Sequence, residues 1–586
     1  MPQEEHSQFD RNFFSSKNRV SYIGTGSIGG KAHGLELIDK ILNSKEFDRD
    51  NFPQIDVNIP VLTVLRTDIF DKFMQLNNLY DIAYSDVPDD RISHAFQNAA
   101  LPFGILGDLR ALISEVHSPL AVRSSSMLED AMFEPFAGIY GTKMTPNNQP
   151  DADTRFSKLV EAIKFVYSST YFKRAKDYIK ATKHSIEDEK MAVIIQEVVG
   201  VKHTDRFYPE LSGVARSYNF YPMGRAKPEE GVVNLALGLG KTIVDGGISW
   251  AYSPEYPKVD PPFGSVGDLL KNTQLDFWAI NMGKPPSYNP LAETEYMMKG
   301  DLTTAESDGS LRYLASTVDS NSGRLTIGTG AQGPRALTFA PLLVFDNIPL
   351  NKLIKNLLEL CEKTLDAPVE IEFAMTFSKN KDGTGKHRFG FLQSRPMVIS
   401  TEKIDVRSED FESKNILVAS ENVLGNGVID SIEDIVFVIP EKFNAKDTHK
   451  IASEIEIVNK KLVIDNRSYL LIGFGRWGSS DPWLGIPVNW GQVSGVRAIV
   501  EAMMENMNVD LSQGSHFFHN LTSFNVCYFS IPYYSKLKID WDWLSKQSVE
   551  QETNFVKHVK LNSPLFIKAD GRNSKGLIYK TNNQNE

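Results

Sequence analysis

The chain of 586 residues has only two cysteines, Cys361 and Cys527. Each stands among apolar neighbours, so cysteine builds neither a disulfide framework nor a zinc site, and a reducing compartment is expected. Long apolar runs are missing as well: no window reaches the ~18 uninterrupted apolar residues of a membrane span. The N-terminal Met1-Pro-Gln-Glu-Glu-His is acidic and lacks the apolar segment of an export signal. Together these absences lead to the expectation of a cytoplasmic protein without a membrane partner. A surplus of positive charge is also absent, since 63 Lys and Arg against 74 Asp and Glu leave a net charge of −11. That disfavours a nucleic-acid binder built on phosphate neutralisation, whereas a nucleotide pocket needs only a few local cations. What remains is an ordinary globular composition, 41% hydrophobic and 23% charged, in a chain long enough for about three to four domain-sized units.

The most informative stretch runs from Pro119 to Thr142. Apolar Leu120, Ala121 and Val122 read as a buried strand that leads Arg123, Ser124, Ser125 and Ser126 into a loop, followed by small residues around Gly138 and Gly141. Guanidinium, hydroxyl and backbone N–H donors suit phosphate, although Arg-Ser-Ser-Ser alone equally describes a serine-rich surface turn. Upstream, residues 20–31 read as a strand entering a glycine-rich turn, with Gly29, Gly30 and Lys31 opening a helix where dipole and free N–H groups favour anions. Residues 191–200 form an apolar run interrupted by Gln196 and Glu197, either a core strand or one whose backbone reads a base edge. Residues 368–374 alternate strictly, which puts Glu370 and Glu372 on one face and Val369, Ile371 and Phe373 on the other. Residues 381–386 have turn chemistry, and the returning strand carries Gln393 and Arg395 on a shared face. Oxygen ligands of this kind suit Mg²⁺; a salt-bridged hairpin surface is the alternative.

These motifs resemble the nucleotide-binding domain of the pyruvate phosphate dikinase and phosphoenolpyruvate synthase family. Its pattern "VRSS…ED…FAG…T" is met by Val122-Arg123-Ser124-Ser125, Glu129-Asp130, Phe136-Ala137-Gly138 and Thr142. Gly29-Gly30-Lys31-Ala32, the 191–200 segment, Ser212-Gly-Val-Ala-Arg216 with Pro222, Leu237-Gly-Leu-Gly240, and Glu370-Ile-Glu372 with Leu392-Gln393-Ser-Arg395-Pro396 lie in the family's order. The resemblance covers roughly residues 18–400. It implies an α/β (α+β) chain with an ATP-grasp-like, two-lobed domain, the lobes at 18–115 and 116–400, between a flexible 1–17 and a smaller α/β domain at 401–586. It implies ATP and Mg²⁺ as cofactors. Lys31, Arg123 and Arg395 would be the catalytic groups; Ser124, Gly138, Gln196 and Glu197 would contact nucleotide; Glu370, Glu372 and Gln393 would hold nucleotide and metal. Glu370 replaces the more usual aspartate, and Lys241 stands where glutamate is usual, so a ribose-orienting glutamate is missing there.

The family's phosphohistidine loop of Thr-Ser-His-Ala type is not found around any of the 11 histidines. The residues after 400 are also fewer than the ~250 a pyruvate-binding barrel typically needs. This excludes a self-sufficient phosphoenolpyruvate synthase of the usual build. The C-terminal part instead suggests strands near Ile416, Ile435 and Tyr469, an amphipathic helix from Val493 to Met507, and His516 and His519 as phosphoryl acceptors or a packed polar fringe. Two look-alikes are set aside. Gly240-Lys241-Thr242 lacks the Walker glycine, since position 235 is Leu235, and Gly473-Phe-Gly475-Arg-Trp-Gly478 runs into a proline-containing segment instead of a helix. The latter reads as a substrate loop with Arg476 and an exposed Trp477, and residues 152–183 read as a solvated helix. The expected activity is ATP-dependent phosphoryl transfer to an unidentified acceptor: a small molecule, a glycan or a histidine of another protein. An ATP-binding regulatory module and an ATP-grasp ligase using an acyl-phosphate are the alternatives.

Overall fold

Short β-branched runs at 20–23, 62–65 and 191–197 assemble into the sheet that carries the candidate site. A computed structural model describes residues 8–10, 19–129, 138–180, 182, 184–222, 224–259, 265–378, 386–399, 404–479, 481, 483–504, 516–535, 537 and 539–580. The expected mixed α/β class is observed. In the first sheet the strand order is Val20–Ile23, Leu62–Leu65, Met191–Glu197, Leu120–Ser126, Thr142–Thr145. Period-two alternation splits its side chains between two cores. Leu120, Val122, Val193 and Ile195 enter one, while Val20, Leu62, Val64, Ala192 and Ile194 enter the other. Arg123 pairs with Ile194 and Ala121 with Gln196, so Arg123 and Gln196 share the face of the second core.

Two expectations change here. The strand does not end at Val122: Ser124, Ser125 and Ser126 pair with Val193, Ala192 and Met191. Ladder pairing along a buried strand overrides serine's preference for turns. Nor do the lobes divide at 115/116, because Val64 pairs with Ile194 and strands from both sides of that line build one sheet.

A six-stranded sheet stands opposite, ordered Trp250–Tyr252, Val232–Ala236, Leu211–Arg216, Val369–Thr376, His387–Pro396, Ile55–Asn58. Its antiparallel pair 369–376/387–396 is the expected hairpin, with Glu370 opposite Arg395 and Glu372 opposite Gln393. The turn chemistry at 381–385 lies outside the described residues. On the other side Glu370 pairs with Arg216, a neighbour that sequence spacing does not reveal. The helix Gly29–Asn43 wedges against both sheets. Gly29 has φ +74°, and a Cβ there would lie 1.8 Å from Ser125 O; at Gly34 it would lie 2.6 Å from Ser394 O. Only glycine permits both approaches.

In the C-terminal part, Asn426–Val438, Tyr469–Phe474, Val496–Ala502 and Cys527–Ile531 run parallel as neighbours in one sheet. The expected helix from Val493 to Met507 is therefore a strand over Val496–Ala502. Its apolar spacing satisfied a helical period, but β-branched Val496, Ile499 and Val500 fill a sheet covered on both faces. Trp477 is buried, not exposed, and Arg476 is buried with it, donating from Nη1 to Gly246 O at 2.8 Å. The solvated helix expected at 152–183 is two helices, Ala152–Ser169 and Lys173–Lys180, with buried faces that include Leu159, Ile163, Val166, Tyr167 and Tyr178. One hydrophobic core runs from the helical side of the first sheet into the C-terminal sheet. Among the described residues no helix is long and apolar enough to cross a membrane.

Gly29→Ala would place a methyl group against the Ser125 carbonyl in left-handed backbone, an overpacking cost of roughly 1–3 kcal/mol. Gly104→Ala is the control, since a Cβ at Gly104 meets nothing within 4 Å. Urea unfolding should show a lower midpoint for the first variant and no drop for the second; equal midpoints would contradict the wedge.

Candidate functional site

Arg123 and the face of one hairpin meet where the first sheet adjoins the six-stranded sheet, and Lys31 stands by the next strand residue, Ser124. Lys31 stands in the first turn of the Gly29–Asn43 helix. Its Nζ donates to Glu129 Oε1 at 2.7 Å and to Ser124 Oγ at 3.3 Å; Glu129 is buried, whereas Lys31 keeps some access, at 12%. Glu129 is itself clamped: Oε1 accepts from Ser124 Oγ at 2.9 Å, and Oε2 from Ser126 N at 2.9 Å. Ser125 Oγ accepts from Ala32 N at 3.0 Å and donates to Ile28 O at 2.8 Å, fastening the helix start, which lacks a side-chain cap, to the strand. The serines thus serve the helix N-terminus and its lysine, and Gly29 N donates to Ser27 Oγ at 3.3 Å.

Arg123 extends from the first sheet to the hairpin. Its Nη2 donates to Gln393 Oε1 at 2.7 Å, its Nη1 to Leu392 O at 3.1 Å and to Gln196 Oε1 at 3.3 Å, and Glu372 Oε2 stands 4.0 Å from Nη2. Arg123 and Glu372 are the partly accessible members, at 14% and 17%. Gln196 is buried, and its Nε2 has no hydrogen-bond partner. Next to it, Ala121, Val198, Phe207, Leu239 and Ile280 form a small apolar cluster with Met144, Trp278, Met282 and Met297 packed on it. This cluster joins the first sheet to a four-stranded sheet ordered Met297–Asp301, Asp276–Asn281, Arg206–Tyr208, Val201–Lys202.

Glu370 behaves differently from Glu372. Arg395 donates to Glu370 Oε1 from Nε at 2.8 Å and from Nη2 at 2.5 Å, and Arg216 pairs with Oε2 from the neighbouring strand. All three are buried, and burial holds the Arg216 guanidinium below its usual range. Strand alternation put Glu370, Glu372, Gln393 and Arg395 on one face, but Glu370 is committed to two guanidinium groups. Glu197 is ion-paired with Arg388 Nη2 at 2.9 Å, and Gly138 O accepts from Arg174. Of the remaining motif residues, 130–137 lie outside the described residues. Lys241 forms an i,i+4 pair with Asp245 at 2.7 Å. His516 and His519 belong to the helix His516–Ser523.

Sequence reasoning missed the roles of Glu129 and Arg216. Both were in view as motif letters, yet their partners are 98 and 154 residues away at Lys31 and Glu370. Period two along 212–216 places Arg216 on one face with Ser212 and Val214, but only the strand order supplies Glu370. Behind the site, Tyr140 Oη donates to Glu189 Oε2 at 2.7 Å, and burial pushes the Glu189 carboxyl up to about 7.

A search of curated proteins finds no match to the chain. The family model describing the pyruvate phosphate dikinase AMP/ATP-binding domain matches residues 25–415, more than half of the chain. That span contains Lys31, Arg123, Gln196, Glu370, Glu372, Gln393 and Arg395, and its fold is ATP-grasp-like. The chain belongs to the family of the pyruvate phosphate dikinase AMP/ATP-binding domain.

Proposed function

We propose that the chain is a Mg²⁺-dependent ATP phosphotransferase of dikinase type, with ATP in the seam between the first and six-stranded sheets. The observation that carries this reading is Arg123, a planar donor fork anchored on one sheet and reaching Gln393 and the Leu392 carbonyl of the other. Lys31 at a helix start supplies the second cation. Glu129 and Ser124 hold its ammonium in place, so phosphate oxygens arriving there exchange with a carboxylate that already neutralises Lys31. The adenine ring would lie against the apolar cluster of Ala121, Met144, Val198 and Leu239, where Gln196 Nε2, unpartnered among the described residues, offers a donor. Glu197 contributes through its backbone in this reading, because its side chain is paired with Arg388.

The donor chemistry fits a hard cation at Glu372 and Gln393, with Mg²⁺ supplying charge neutralisation on the phosphates when bound. Glu372 is a partly accessible carboxylate, and Gln393 Oε1 becomes available as Arg123 turns from it to phosphate. Glu370 we assign instead to holding the buried Arg216 and Arg395, one carboxylate shared by two guanidinium groups. Charge stabilisation and positioning are most of what phosphoryl transfer demands, and here they would come from side chains held on strands and at a helix start.

Glu372→Gln keeps the shape and removes the anionic oxygen, so turnover should fall by at least about a hundredfold. The hairpin and its thermal midpoint should be preserved. Undiminished turnover in that variant would remove Glu372 from the metal site.

A dikinase-type mechanism consumes ATP to AMP, whereas a simple kinase or an ATP-grasp ligase gives ADP. Chromatography of the nucleotide products, repeated with His516→Ala and His519→Ala, separates these. AMP is the expected product, and ADP alone would reject the dikinase chemistry. Loss of AMP formation in one histidine variant would assign the acceptor to this chain; AMP formation unaffected by either would place it on a separate small molecule, glycan or protein.

A further inference from the structure

A cavity of about 350 Å³ lies outside the seam, lined by His117, Ser118, Pro119, Asn147, Asn148, Gln149, Arg155, Lys202, Phe207 and Met282. In a chain of net charge −11, its lining contains Arg155, Lys202 and His117 and no carboxylate. Arg155 is buried at 6% exposure, and among the described residues no carboxylate lies within ion-pair distance of it. Asp151 senses Arg155 but accepts from Thr154 N at 2.7 Å as the cap of the Ala152–Ser169 helix. A buried guanidinium without a counter-charge is costly, and an anion from solution would remove that cost.

The hydrogen bonds say which atoms are left for a ligand. Arg155 donates from Nη1 to His117 Nδ1 at 2.5 Å; because arginine only donates, His117 Nδ1 is an acceptor here and its proton sits on Nε2. Arg155 Nε is buried with no partner. Asn147, at 3% exposure, spends its amide nitrogen on Val116 O at 2.8 Å and Ser118 O at 3.0 Å, which fixes the amide orientation and leaves Oδ1 buried and unpartnered. Gln149 Oε1 is unpartnered too. Cationic donors together with unpartnered acceptors match an oxyanion that also carries a hydroxyl, as hydrogen phosphate does on phosphorus and glycerol phosphate on its alcohol.

We infer that this cavity is a second anion site, which takes a small phosphate-type oxyanion on Arg155, with Lys202 at its rim and Asn147 and Gln149 accepting from the ligand's hydroxyl. Its walls come from two bodies. Residues 117–119 lead into the Leu120–Ser126 strand and 147–149 follow the Thr142–Thr145 strand, whereas Lys202, Phe207 and Met282 belong to or follow strands of the four-stranded sheet. Asn148 Nδ2 already donates across this junction to Met282 O at 2.9 Å. Phe207 and Met282 also belong to the apolar cluster, so an anion here braces that cluster from outside.

Calorimetry on the full chain with inorganic phosphate and with glycerol phosphate tests this. The parent should bind at least one of them. Arg155→Ala should weaken that binding about tenfold or more, the loss of one charge-assisted fork. Lys202→Ala, an exposed change that spares the fold, should weaken it severalfold, and Lys31→Ala should leave it intact. Tighter binding of glycerol phosphate would assign an ester ligand, and tighter binding of inorganic phosphate the free ion. No binding to the parent, or binding lost in Lys31→Ala but unchanged in Arg155→Ala and Lys202→Ala, would overturn the site.

Discussion

The Arg123 guanidinium reaching across a seam between two sheets is the interaction on which the arrangement of the site depends. Its stem belongs to a strand paired on both sides, and its head is divided among Gln196 of its own sheet and Leu392 and Gln393 of the other. A lysine could carry the charge but not the planar fork that divides these bonds between two nitrogens, so the seam suits an arginine at 123. The glycines of the first helix make the span possible: Gly29 and Gly34 bring that helix onto Ser125 and Ser394 at distances no side chain would tolerate. Lys31 is thereby set beside the same strand from the opposite direction.

Charge balance explains why three acidic residues near this seam behave differently. Glu370 faces two buried guanidinium groups, and removing one partner of such a cluster typically costs about 3–5 kcal/mol because it strands the remaining charges. Glu129, itself buried, neutralises Lys31. Among the described residues Glu372 has the 4.0 Å approach of Arg123 as its one ion pair, and it keeps some access. A cation needs an anionic oxygen that is not already spent, and this ranks Glu372 first.

Much of this was legible in the sequence because it rests on local periodicity. Alternation at 369–373 and 393–395 correctly placed four side chains on one hairpin face, and the Gly-Gly-Lys turn correctly opened a helix. Three things were not legible. The pairing of Leu211–Arg216 with the hairpin is set by strand order, so Arg216 as the second partner of Glu370 could not be read from spacing. Ser124 to Ser126 follow their sheet neighbours instead of their turn propensity. At 496–502 apolar residues recur with a spacing that fits a helix and a doubly covered strand alike; Gly495 before it and the β-branched residues within it were the signals for the strand. Trp477 was misjudged for a related reason: a glycine-flanked aromatic looks like a loop tip until a neighbouring sheet buries it.

The central claim, that Lys31 and Arg123 bind ATP phosphates, is tested most directly by the affinity of the full chain for Mg·ATP. Calorimetry should find binding in the parent and a loss of about tenfold or more in Arg123→Ala and in Lys31→Ala, with circular dichroism unchanged. Parent-like affinity in both variants would contradict it.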